Sequence, residues 1–415
     1  MKNAKNPPFF YGYTIIVAGF FIQAVVWGTS NSFGVFFDPL IKEFGWSRAT
    51  ISGAASLGFL VHGISSIALG NLNDRFGPRL IMSACGLFLC LGFLLMGILN
   101  SVWQLYFFYG LIVSIGLGGI DVIPLSTVSR WFHRKRGMMS GIVKVGTGVG
   151  MFIMPFFINW LFNNYGWRNS FIVLAFIIIV VVLSLAQFLV RDPILKGQLV
   201  DNGISHTSGK QNAYEEGLTF KEAIHTRQLW TVCTVYFIIL FCVYTIIMHI
   251  VQHAIDLGIQ SSVAAGVLST IGGVSITGRF LMGGASDKIG EKSALLICLL
   301  CLFLALCWLQ VIHTLWMFYL FAVIYGFAHG GFFSLVSPLI AKFFGTKSHG
   351  LLFGIVIFSS TIGGAIGPFV AGYIFDVTDS YKIIFFILIV LCTIAVALTV
   401  SLKPLSKVQG NLIER

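Results

Sequence analysis

Three residues of this sequence carry full charges inside apolar runs: Asp121 in "LGGIDVIPL", Lys144 in "GIVKVGTG" and Arg279 in "SITGRFLMGG". A charge in hydrocarbon costs a few kcal/mol even on lenient scales, roughly 2.5–3.5 kcal/mol at a helix centre, so such residues usually line a pathway. Their types fix the chemistry. A guanidinium stays charged and binds a carboxylate through two parallel hydrogen bonds. An ammonium is a point charge, and a carboxylate beside it can hold it or exchange a proton. This is equipment for reversible binding of a small anion. His62, His249 and His329 also lie in apolar runs, and histidine titrates near neutral pH, so each is a candidate proton relay. His249 adds a candidate substrate contact. No nucleophile–base set and no zinc-ligand spacing occurs, and the reading calls for no cofactor, no metal and no enzymatic activity.

The elements that must hold these residues follow from composition. The chain has 415 residues, of which 57% are hydrophobic and 10% charged, with mean hydropathy +0.91. Apolar stretches of about 20 residues span about 30 Å of hydrocarbon. Twelve such stretches begin near positions 11, 50, 79, 103, 138, 169, 228, 261, 293, 316, 349 and 381. The predicted class is an all-α polytopic membrane protein. Asp121 lies nine residues from Arg130, Lys144 eight from Arg136, and Arg279 eight from Asp287. At 1.5 Å per residue all three sit about 12–13 Å from the same end of their helices, near the midplane. A lysine reaches only about half that distance towards water. Lys144 therefore needs Asp121 on the neighbouring antiparallel span, or a substrate carboxylate. The bland alternative is a permanent structural pair.

Charge orients the chain. Of 26 basic residues, Lys42, Arg48, Arg168 and Lys382 fall in one set of loops, and Lys144 and Arg279 within spans. The rest, including Lys2, Lys5, Lys210, Lys407 and Arg415, fall in the other loops and the chain ends. By the positive-inside rule both termini are cytoplasmic and the membrane is the cytoplasmic (inner) one. The net charge of +11 then meets an anionic leaflet, not nucleic acid. All eight cysteines lie in apolar stretches and read as small fillers. The polar stretch 191–227 divides the spans six and six, giving an N-terminal half 1–190, a linker and a C-terminal half 228–415. Its Gly- and Ser-rich middle is expected to be flexible. "TFKEAIHTRQLW" predicts an amphipathic helix leading into the seventh span, with Glu222 near its start.

The halves repeat. "GNLNDRFGPR" (70–79) recurs as "GGASDKIGEK" (283–292), so Gly70, Asp74 and Gly77 map onto Gly283, Asp287 and Gly290. The same offset takes Gly137 to Gly350, Gly141 to Gly354 and Pro155 to Pro368. Two six-helix halves with a site between them near the midplane is one known transporter plan. "GNLNDRFGPR" resembles the signature of the major facilitator superfamily in the loop between spans two and three. Gly70, Asp74, Arg75, Gly77 and Arg79, with Asp287 and Lys288 in the copy, are then the conformational gating motif, whose charges bridge helix ends and let go as the halves rock. Lys144 maps to Ile357 and Asp121 near Phe333, so the charged residues depart from the repeat.

A narrower resemblance rests on "WFHRKRGMMSGIVKVG", similar to the signature opening span five of the monocarboxylate transporter family. "FGVFFDPLIKEFGWSRATIS", "YGWRNSF" and "HIVQHAIDLGI" resemble the related bacterial oxalate/formate antiporter group. Both groups carry a substrate-binding arginine in span eight, which this resemblance assigns to Arg279. Three departures stand out. Ser275 occupies the position of an aspartate one turn before that arginine. Span one has no lysine, and span eleven has no second cation. Lys144 and Asp121 are candidates to replace them. The resemblance implies a transporter of a small organic carboxylate, most simply proton-coupled symport of a lactate- or pyruvate-like monocarboxylate, working as a monomer in the lipid bilayer by alternating access. Exchange of oxalate- or formate-like anions against a counter-anion, or a receptor of transporter fold, are the alternatives. Tyr13, Tyr325, Phe333 and Phe358 are candidates to wall the cavity.

Overall fold

The computed structural model describes residues 9–203 and 217–403. It is built from helices: α1 Gly12–Asn31, α2 Arg48–Phe76, α3 Pro78–Met96, α4 Val102–Trp131, then one run, Arg136–Ala186, that breaks at Gly166. At Gly166 the backbone turns to φ 75°, ψ 159°, so the run makes two crossings, α5 (136–165) and α6 (167–186). The reversal is visible in the contacts. Arg168 Nη2 donates to Leu99 O (3.0 Å) at one end of the bundle, while Trp131 Nε1 donates to Val190 O (2.7 Å) at the other. The second series is α7 Arg227–Asp256, α8 Ser261–Ile289, α9 Glu291–Leu309, α10 Leu315–Phe344, α11 His349–Thr378 and α12 Lys382–Ser401. Among the described residues the twelve helical segments match the twelve apolar stretches in position, and ten helices, with 136–186 counted once, are long and apolar enough to cross a membrane. Lys2, Lys5, Lys210, Lys407, Arg415 and the Gly- and Ser-rich middle of the 191–227 stretch lie outside the described residues.

The repeat is carried into backbone geometry. Gly77 (φ 85°, ψ 165°) joins α2 to α3, and Gly290 (φ 86°, ψ 150°) joins α8 to α9. That region of φ favours glycine, which explains its recurrence at both places. Pro78 then opens α3, where its missing N–H costs no helical hydrogen bond. α4 winds as a π-helix over Tyr106–Val113 before returning to α-helix.

One local expectation changes. The stretch "TFKEAIHTRQLW" is not one amphipathic helix. It forms a single turn, Phe220–Ala223, and α7 starts separately at Arg227. Thr219 and Glu222 make a reciprocal capping box around that turn. Thr226 then donates to Ala223 O (2.6 Å) and accepts from Leu229 N (3.4 Å), closing one helix and opening the next.

The halves are joined at the end of the bundle that holds the repeated motif. Asp74 Oδ1 accepts from Gly350 N (3.2 Å) and Oδ2 from Leu351 N (3.0 Å), at the start of α11. Asp287 does the same for Gly137 N (2.6 Å) and Met138 N (2.8 Å), at the start of α5. A carboxylate is well placed against the orphan N–H groups and positive dipole of a helix N-terminus. The cation that meets Asp74 is Arg130 of α4 (Nη2 to Oδ1, 3.3 Å), not its neighbour Arg75. Arg75, Arg79 and Lys288 are exposed, because one residue along a helix turns a side chain about 100° away. Ser129 and Ser337 meet at 3.0 Å, and Ser66 Oγ donates to Gly354 O (3.0 Å), carrying the seam towards the midplane. Gly354 and Gly70 have no Cβ for the same reason: backbone atoms of α2 and α11 fill that space.

The other end is tied within the N-terminal half. Trp167 Nε1 donates to Glu43 Oε2 (2.7 Å), and Arg168 Nη1 donates to Glu43 Oε1. Arg168 also stacks on the Trp167 ring at 4.3 Å. The hydrogen bond from Arg168 holds the Glu43 carboxyl below its usual range. These residues come from the "FGVFFDPLIKEFGWSRATIS" and "YGWRNSF" stretches, so two separate motifs form one clasp.

Replacing Gly354 with Val pushes a branched side chain against Ser66 backbone. Overpacking of this kind costs about 1–3 kcal/mol, and thermal unfolding of the purified protein should show a midpoint several degrees lower. An unchanged midpoint would mean α2 and α11 are not in close contact.

Candidate functional site

The buried charges meet at the centre of the bundle. Lys144 Nζ on α5 lies 2.7 Å from Asp121 Oδ1 on α4. α1 reinforces the pair: Gln23 Nε2 donates to the same oxygen at 2.8 Å and Trp27 Nε1 at 3.1 Å. Gln23 and Trp27 are one turn apart, which puts both on the same helix face. Gln23 is oriented in turn, since its Nε2 also donates to Ile120 O (2.9 Å) and its Oε1 accepts from Thr147 Oγ1 (2.7 Å). Three donors therefore converge on Oδ1. Oδ2 accepts no hydrogen bond among the described residues. α1 approaches this closely because Gly146 and Gly150 leave its backbone room at Phe20 and Ala24.

Arg279 on α8 is 2% exposed. Its Nη1 donates to Ser275 Oγ (2.7 Å), and that hydroxyl donates onward to Gly272 O (2.6 Å). Among the described residues its Nε has no partner, and no carboxylate lies within ion-pair distance. The guanidinium rests against the other half: a Cβ at Gly148 would come within 2.8 Å of Nη1. Gly148 is one turn from Lys144 along α5, a rise of about 6 Å. Gly148 thus sets Arg279 alongside the helix that carries Lys144. Lys144 also points across the seam, with its Nζ 5.6 Å from the centre of the Phe333 ring on α10.

The two halves contribute one histidine each to this centre. His62 on α2 sets its ring against Trp27 at 5.5 Å, and its Nε2 has no partner among the described residues. His329 on α10 sits between Tyr325 (6.1 Å) and Phe333 (5.1 Å), and its Nδ1 likewise has none. Each ring thus keeps one nitrogen without a hydrogen bond among the described residues.

His249 is elsewhere. Its Nε2 donates to Pro368 O (3.1 Å), which makes Nδ1 the acceptor for Tyr381 hydroxyl at 3.2 Å. Both nitrogens are used to join α7, α11 and the start of α12, and neither contacts Lys144 or Arg279. Tyr13 is likewise outside the centre, 45% exposed and packed on Phe10 and Phe132. Phe358 lies beside Gly63 on the seam.

Gln23, Trp27, Thr147 and Ser275 shape this centre in ways that charge alone does not reveal. Gln23 had a signal, as an amide inside an otherwise apolar first span. Trp27 had none, since an indole in a membrane helix reads as packing.

The buried charges do not balance. Asp121 neutralises Lys144, and Arg279 is left over, so the site holds a net positive charge with hydrogen-bond donors facing inward. That arrangement can bind one carboxylate. The stretches 19–309 and 256–412 match the model of the Major Facilitator Superfamily. Monocarboxylate transporter 13 of Bos taurus is 28% identical over 397 residues, covering 91% of this chain and 86% of that protein. The oxalate:formate antiporter of Oxalobacter formigenes is 27% identical over 373 residues, covering 86% and 84%. A crystal structure of the transporter FucP in the outward conformation superposes with TM-score 0.72 at 14% identity, covering 93% of this chain and 97% of that one.

Removing one member of a buried ion pair strands the other, at about 3–5 kcal/mol, whereas removing both is far milder. Asp121→Ala should lower the unfolding midpoint sharply, and Asp121→Ala with Lys144→Ala should recover most of it. Additive losses in the double variant would show that the two residues do not interact.

Proposed function

This chain belongs to the Major Facilitator Superfamily, and we propose that it carries a small monocarboxylate across the membrane together with a proton. The observation that carries the proposal is Arg279: a guanidinium buried at the centre with one serine for company and an unused Nε. An isolated buried charge is costly and invites a counter-ion. A substrate carboxylate supplies it through the two-point geometry a guanidinium favours. The relatives named for monocarboxylate and for oxalate and formate support an organic anion as the cargo.

Asp121 and Lys144 supply the coupling. With Asp121 ionised the three charges sum to +1, which one monocarboxylate brings to zero. A proton arriving at the unused Oδ2 neutralises Asp121, raises the sum to +2 and releases Lys144 from it, so the site loaded with proton and monocarboxylate carries +1. The ammonium, one turn along α5 from the Gly148 that Arg279 rests against, then becomes a second contact for the carboxylate. His62 and His329, each with a free ring nitrogen at this level, are the candidate relays for that proton. Phe333 and the Tyr325 ring give the site an apolar wall, suited to an organic anion over an inorganic one.

Transport proceeds by rocking of the 1–190 half against the 228–415 half. The motif end is the cytoplasmic one, with both termini, by its basic excess. For it to open, Asp74 must leave Gly350 and Leu351, and Asp287 must leave Gly137 and Met138. Three donors on Asp121 Oδ1 favour the ionised form, and a permanently ionised Asp121 suits exchange of one anion for another.

Uptake of labelled lactate into proteoliposomes separates these readings. An inward proton gradient should accelerate lactate entry several-fold. Entry that ignores the gradient and requires internal anion would favour exchange. Arg279→Gln should reduce uptake to background while leaving the unfolding midpoint equal or higher, because it removes an unpaired buried charge. Near-normal uptake by that variant would overturn the assignment of Arg279.

A further inference from the structure

Away from the central site, a cleft of about 390 Å³ opens at the motif end of the N-terminal half. Its walls are the α2–α3 turn, with Arg75, Phe76, Pro78 and Arg79, and the segment after α6, with Leu189, Arg191, Leu195 and Lys196. Among the described residues four cations line it and no carboxylate does. Asp192, beside Arg191 in the chain, is shared: its Oδ1 is 3.6 Å from Arg130 and its Oδ2 is 3.3 Å from Arg191. Asp74 is turned away to Arg130 and the α11 N-terminus. Arg75 and Arg79 have no ion-pair partner among the described residues, and Lys196 has only the face of Tyr11, 4.6 Å from the ring centre. The rim is greasy: Phe76 is 62% exposed, Leu80 61% and Leu195 69%. Phe76 and Leu80 continue the outward ridge of α3 that also carries Leu87 and Leu91.

Unbalanced basic groups at the end of the membrane spans, opening beside an apolar ridge, match one kind of molecule. We propose that this cleft binds the headgroup of an anionic phospholipid, with its phosphate against Arg75, Arg79, Arg191 and Lys196 and its acyl chains along Phe76, Leu80 and the face of α3. A basic pocket between spans at the membrane surface is suited to such headgroups, and arginines hold a phosphate through paired donors. The apolar rim distinguishes a lipid from a free phosphate, which needs no such surface. Bound there, the lipid ties the α2–α3 turn, which carries Asp74, to the segment entering the linker. This site is independent of the cargo reading and survives if that reading fails.

The test is binding of dioctanoyl phosphatidylglycerol to the purified full-length protein in neutral detergent, against dioctanoyl phosphatidylcholine and against inorganic phosphate. Phosphatidylglycerol should bind most tightly. Arg191→Gln with Lys196→Gln should weaken it about tenfold, because two cations that face the headgroup are removed. Lys221→Gln with Lys403→Gln, which removes the same charge from exposed positions elsewhere, should not. Equal weakening in both double variants would mean diffuse attraction and overturn the site. Inorganic phosphate competing at the same concentration as the lipid would overturn the lipid assignment. If the first double variant unfolds in detergent, Lys196→Gln alone, expected to weaken binding about threefold, replaces it.

Discussion

The arrangement at the centre depends on one unpaired guanidinium. Arg279 sits where water is largely excluded, and the protein gives it a hydroxyl in place of a carboxylate. A buried cation of that kind opposes folding unless something else in its surroundings is arranged for it. The rest of the site is so arranged. Gly148 leaves space for the guanidinium and Gly330 for the α8 backbone beneath it, Ser275 fixes one of its nitrogens, and the second cation, Lys144, one turn along α5 from Gly148, is held in check by Asp121. The protein keeps a positive hole at its centre and closes one end of the bundle over it.

The seam between the halves uses a different kind of bond. At Asp74 and Asp287 carboxylates cap the first N–H groups of helices in the facing half. Such caps are worth about a kcal/mol or less each when partly exposed, so they can break and reform during a transport cycle. The central pair of Asp121 and Lys144 is more deeply buried and has three donors on one oxygen. Separating it in place strands a buried charge, which costs more than breaking a partly exposed cap. Weak symmetric contacts at the end and a strong asymmetric one at the centre suit a machine whose halves move while its site selects.

Much of this was legible in the sequence. The twelve apolar stretches gave the crossings because only helices satisfy backbone groups in hydrocarbon over that length. Counting 1.5 Å per residue from the basic ends placed Asp121, Lys144 and Arg279 at one depth, and the bond between Asp121 and Lys144 follows from that agreement. The glycines shared by the two halves, Gly77 and Gly290, stand at matching turns in the structure. Other features depend on which way a side chain points, which spacing does not fix. Arg75 beside Asp74 suggested the bridging cation, but Arg130 arrives from another helix. Trp27 is indistinguishable from a packing aromatic until its indole is seen to face a carboxylate. His249 lies in a family-like motif, yet its ring is spent on Pro368 and Tyr381. Thr226 looked like a residue inside a helix, and it caps one instead.

In the proposed mechanism Arg279 recognises the charge of a carboxylate, not the shape of a small organic molecule. Calorimetric titration of the purified protein with lactate and with lactamide tests this directly, since the two differ little in size but only one is an anion. Lactate should bind, lactamide should show no measurable heat, and Arg279→Gln should erase the difference. Lactamide binding as tightly as lactate would contradict it.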